Sequence, residues 1–100
     1  MREAKRLAGR LLAESCFRIS GHARSEMLKD QLTEADVVNA IRHGVAGKAT
    51  MQPSGHYSYR FTRREVAVAV AFRYDGETPV AAVVCTAWRI RRAARNRRAP

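Results

Sequence analysis

The sequence predicts an α+β fold in which N-terminal helices pack on one face of a three- to four-stranded antiparallel sheet. Three observations predict it. Apolar residues recur with helical spacing as far as Gly44, and beyond Gly44 they alternate with a period of two. Two turn signals, Pro53-Ser54-Gly55 and Asp75-Gly76, cut that alternating half into hairpin-sized runs. At 100 residues the chain has room for one domain, taken as residues 1–90, followed by an Arg-rich tail at 91–100.

The first helix is expected over Arg2 to Cys16, with Ala4, Leu7, Ala8, Leu11, Leu12 and Ser15 on one side and Lys5, Arg6 and Arg10 on the other. Such an Arg-bearing helix could serve targeting or a membrane surface, but its short stripe predicts packing on the domain. Phe17 to Ser20 reads as a short strand or an extended linker. A second helix is expected from Ser20 or Gly21 to about Asp30, burying Ala23, Met27 and Leu28. For the third, Thr33 and Asp36 form a capping box with Asp in place of Glu. Its stripe is Val37, Val38 and Ile41, and Gly44 stands where a left-handed C-cap belongs. Strands follow over Val45 to Met51, His56 to Thr62, Glu65 to Tyr74 and Val80 to Trp88.

Charge narrows the partner. Nineteen Lys and Arg against nine Asp and Glu give a net charge of +10, a field that draws polyanions. Most of these cations are Arg, which forks onto phosphate and stacks on bases as Lys does not. Six arginines fall in the last twelve residues: Arg89, Arg91, Arg92, Arg95, Arg97 and Arg98; removing six charges from +10 leaves +4. The tail is either a phosphate-binding arm or a solvated end. Nucleic acid, with RNA ahead of DNA, is the expected partner. The most apolar uncharged stretch, Thr78 to Trp88, is too short to span a bilayer as a helix. Cys16 and Cys85, 69 positions apart and without a cleavable leader ahead of them, are expected as reduced thiols of a cytoplasmic protein. There is no phosphate-binding Gly loop, no zinc spacing and no nucleophile elbow, so neither metal nor cofactor is expected.

Strand alternation places the chemistry. One face of the sheet carries aromatic and branched side chains for the helices; the other carries alanines, with Arg60 and Arg73 among them. Small residues leave room above that face for guanidinium groups to reach phosphate. If Arg73 pairs with Val80, and Arg60 with Ala67, then Arg60 and Thr86 share it; a slip of one residue would send Thr86 to the core. The alternative is two solvated arginines on an open face. His22 belongs to the first turn of the second helix, where the dipole favours a neutral imidazole and a bound anion, with Arg24 beside it. The alternative is a surface histidine. His43 closes the third helix and His56 lies at a turn. Trp88 and the tyrosines could stack on bases, although a Trp in so apolar a strand is expected in the core.

The stretch His22-Ala23, Met27, Leu32-Thr33-Glu34-Ala35-Asp36-Val37, Ala40-Ile41 and Gly44, together with Val83 to Arg89, resembles the domain-of-unknown-function 4258 family over roughly Phe17 to Arg89. That family is grouped with RelE-like and barnase-like ribonuclease folds, many of them bacterial toxins paired with antitoxins. The resemblance implies a RelE-like fold and a metal-independent endoribonuclease with His22, Arg60 and Thr86 as its catalytic residues. Arg24, Arg73, Arg89, Arg91 and Arg92 would bind the nucleic acid. An acidic antitoxin and the ribosome would be further partners. The chain departs from the family at Glu26 and Asp30, where members usually carry arginine. Alternatives are a non-catalytic RNA- or DNA-binding module and a basic protein-interaction domain.

Overall fold

A computed structural model describes residues 2–51, 53 and 57–90. Its elements run α1 (Arg2–Ala13), β1 (Phe17–Ile19), α2 (Gly21–Lys29), α3 (Glu34–His43), β2 (Val45–Met51), β3 (Tyr57–Arg63), β4 (Val66–Asp75) and β5 (Thr78–Arg89). The mixed α+β architecture is as expected, with helices against a sheet. The sheet differs from the expectation of three or four antiparallel strands: among the described residues it has five, in the order β1-β5-β4-β3-β2, and β1 joins β5 in parallel. Three residues are too few for alternation to announce a strand, and only tertiary pairing makes Phe17–Ile19 one.

α1 ends at Ala13, short of Cys16, because Ser15 turns left-handed (φ 60) and the Cys16 N–H returns to the Leu11 carbonyl at 2.7 Å. α2 starts from Ser20, whose side chain accepts from the Ala23 N–H, and it buries Ala23 and Met27. Leu28, expected on that stripe, is 82% exposed. It follows Met27 by one residue, about 100° round the helix. α3 carries both halves of the expected capping box, Thr33 Oγ1 with the Asp36 N–H and Asp36 Oδ2 with the Thr33 N–H. Its other end corrects the reading of Gly44. The residue is extended (φ −85, ψ −178), not left-handed. A Cβ there would stand 2.3 Å from the Ala40 carbonyl oxygen and 2.6 Å from that of Thr62, so glycine is required by close approach. The Lys5 ammonium donates to the carbonyls of Arg42, at 2.9 Å, and Gly44, tying α1 to the end of α3 where cations are favoured.

The core lies between the helices and one sheet face. Phe61, Leu11, Ile41, Val37, Val68, Val70 and Val84 are its largest fully buried side chains, each contributing about 1.5–3 kcal/mol. β4 and β5 meet at a two-residue turn in which Gly76 supplies a positive φ of 66. Their ladder then slips twice. Tyr74 pairs with Pro79 but Arg73 with Ala81, and Val70 pairs with Val84 but Ala69 with Thr86. Each slip is a one-residue bulge, at Val80 and at Cys85.

Candidate functional site

The sheet face away from the helices is open, and its register decides which side chains meet there. Arg60 on β3 pairs with Ala69 on β4, and Ala69 pairs on its other side with Thr86 on β5. Arg60 and Thr86 therefore flank one alanine, with backbones about 10 Å apart. The expected pairs were Arg60 with Ala67 and Arg73 with Val80. Each observed partner differs, but the two bulges together displace Thr86 by two positions, an even number that keeps it on the open face.

A hollow of about 190 Å³ opens there, lined by Thr50, Ser58, Arg60, Ala69, Cys85, Thr86 and Trp88. Its chemistry is simple. Among the described residues, three hydroxyls and one guanidinium line it and no carboxylate does. Such a set suits an anionic group. Burial pushes the Cys85 thiol above the ordinary value of 9.0, against a backbone hydrogen bond with Ala71 that pulls the other way, so the thiol is neutral at pH 7.

Trp88 corrects a sequence expectation. It pairs with Ala67 on the open face and does not join the helix-side core. The Arg60 guanidinium crosses over β4 and lies 5.3 Å from the centroid of its ring. Alanines on β4 make this possible, because any larger side chain between β3 and β5 would stand in the path. Ala67, directly beside Trp88, is only 1% exposed, so part of the room expected above the alanines is already filled. Period-two counting from Thr86 to Trp88 was the signal for this placement. Counting back from Arg60 to Ser58 was another.

The other expected site residues are spread more widely. His22 is exposed in the first turn of α2 and does not line the hollow. Its helix is anchored nearby, since Ser20 Oγ donates to the Cys85 carbonyl at 3.2 Å while accepting from the Ala23 N–H. Arg24 pairs with Glu34 at 3.4 Å beside a second hollow lined by Met27, Leu28 and Leu32. Arg73 is exposed four positions along β4 from Ala69, about 13 Å away, and does not line the hollow.

Arg89 is engaged in the fold. Its Nε donates to the Asp30 carbonyl and its Nη2 to that of Gln31, both at 3.2 Å, while its backbone N–H donates to Asp30 Oδ2 at 2.7 Å. Asp30, one of the two departures from the resembled family, thus latches the end of α2 to β5. Arg91, Arg92 and His56 lie outside the described residues. Among the described residues, no group of three His, Cys, Asp or Glu is placed to hold a metal ion, and no helix is long and apolar enough to cross a membrane.

A scan of protein-family models, a search of curated proteins and a search of solved structures each return no match for this chain.

Proposed function

We propose that this protein acts on RNA through the open face of its sheet, as a metal-independent endoribonuclease of the RelE-like kind and the toxin of a bacterial toxin–antitoxin pair. One observation carries the reading: Arg60 and Thr86 flank Ala69 in a hollow that no carboxylate of the described residues lines, on a chain of net charge +10. RNA brings its own nucleophile, the 2′-hydroxyl beside each phosphate, so the protein has only to stabilise charge and move protons. Arg60 would hold the phosphate as charge develops on it, an effect worth about 10²–10³ in rate. Thr86 would orient a phosphate oxygen. His22, at the helix start tied to Cys85, would take or give the proton, worth about 10²–10⁴. An acidic antitoxin would complement the same basic face.

A second reading, a non-catalytic RNA-binding surface, is favoured by the position of His22 outside the hollow. One experiment separates the two. Defined RNA is incubated with the protein in EDTA, and the native chain is compared with Arg60→Ala and His22→Ala. The nuclease reading expects cleavage that survives chelation and falls at least a hundredfold in Arg60→Ala. Intact RNA that nonetheless binds the native chain, with affinity falling steeply with salt, refutes the nuclease and leaves the binding surface.

A further inference from the structure

We infer that Trp88 is the stacking platform for one unpaired nucleobase, and that the Arg60 guanidinium now lying on it is a placeholder that moves onto the adjoining phosphate when RNA binds. The inference rests on the proposed action on RNA and specifies how the same hollow would take it.

Size comes first. At about 190 Å³ the hollow is smaller than the roughly 300–1,000 Å³ of pockets that enclose whole small ligands, so it accepts one group of a longer ligand. Shape and chemistry say which. Trp88 is partly buried on the open face of β5, where a planar apolar group can lie flat on it. The Thr86 hydroxyl stands within the same hollow and can meet a polar edge as donor or acceptor, with Thr50 and Ser58 lining the wall beside it.

The present occupant of the ring is Arg60, 5.3 Å from its centroid and exposed to solvent. A solvent-exposed guanidinium on an aromatic ring is held weakly compared with a stacked base, so a base can take its place. The freed guanidinium keeps its charge, sits on a long flexible stem and finds a phosphate one bond system away from the base that displaced it. Only an unpaired base can leave its own stack to do this, so the substrate class is single-stranded. An acidic peptide would satisfy the guanidinium but offers nothing flat for the ring.

Trp88 is the sole tryptophan, so intrinsic emission reports this one position. The test titrates the full chain with a labelled single-stranded oligoribonucleotide, 2′-O-methylated to prevent cleavage, and with an abasic oligomer of the same length. Anisotropy of the label reads binding, and tryptophan emission reads stacking. The expected result is quenching by the base-bearing oligomer alone, which also binds more tightly. Trp88→Leu should weaken that binding about five- to a hundredfold, and Trp88→Phe, which keeps a ring, by much less. Equal binding of both oligomers with unchanged emission overturns the platform and leaves RNA binding intact. Binding of neither oligomer overturns the action on RNA, and the platform with it. Should Trp88→Leu fail to fold, emission from the native chain and the affinity of the Phe variant still decide.

Discussion

Gly44 offers the sharpest test of how the fold is held, because two physical accounts of it predict different outcomes. A left-handed cap glycine is replaced tolerably by Asn, which visits positive φ. A close-approach glycine is replaced by nothing. The backbone values (φ −85, ψ −178) are open to any residue, so on conformation alone Gly44→Ala should stabilise by about 0.4–1 kcal/mol. Sterics reverse that sign. The added Cβ meets the Ala40 oxygen at 2.3 Å and the Thr62 oxygen at 2.6 Å, both backbone atoms that cannot rotate away. α3 and β3 must separate, at an overpacking cost of about 1–3 kcal/mol. Separation also weakens the Gly44 N–H to Ala40 carbonyl bond (2.9 Å) and the Lys5 contact, at about 1 kcal/mol each. The sum is about 3–5 kcal/mol, a large share of the 5–15 kcal/mol that holds a small domain together. Thermal unfolding by circular dichroism should show Gly44→Ala and Gly44→Asn both melting on the order of 20 °C below the native chain. An Asn variant that melts within a few degrees of native would refute the close-approach account.

Two further predictions follow from contacts at the other edge of the sheet. Asp30→Ala leaves the Arg89 backbone N–H without its carboxylate acceptor and should cost about 2 kcal/mol in urea denaturation; a loss below 0.5 kcal/mol would mean that the latch is replaced by water. Cys85, held above the ordinary thiol value of 9.0 by burial, should alkylate slowly at pH 7, and its rate profile, measured in a Cys16→Ala background, should have a midpoint above 9.0. The stability linked to this thiol is full below the ordinary value and is lost as pH climbs through the raised folded-state value. A midpoint at or below 9.0 would show the thiol to be solvated.

Local signals were legible, and long-range ones less so. The Thr33–Asp36 box and the Asp75-Gly76 turn could be read because each is closed within four residues, where spacing alone fixes geometry. Period-two alternation correctly put Arg60 and Thr86 on one face. The partners across the sheet were hidden, because a bulge leaves no mark in composition: Val80 and Cys85 look like any other strand residues. Trp88 was misread for a related reason. Hydrophobicity sends a lone Trp to the core, but parity with Thr86 and the gap left by Ala67 and Ala69 hold it on the open face under Arg60. Arg89 read as a nucleic-acid contact, whereas its Nε and Nη2 donate to the Asp30 and Gln31 carbonyls just past α2, which no local pattern could reveal. Gly44 was found for the right position and the wrong reason, since its constraint is the close approach of the Ala40 carbonyl and of Thr62, eighteen residues away.

The two bulges in β5 also bear on how the chain can change length. A bulge residue is one that the partner strand does not count, so its loss need not move its neighbours. Without Val80, Pro79 and Ala81 would become consecutive rungs against Tyr74 and Arg73, the partners they already have. Without Cys85, Val84 and Thr86 would likewise close up against Val70 and Ala69, and the row from Arg60 to Thr86 would persist. Deletion of any other residue between them has no such slack and must drag the ladder. Strand β5 therefore holds two places where descendants of this sequence can shed a residue and keep the same face toward solvent, one of them at the rim of the hollow itself.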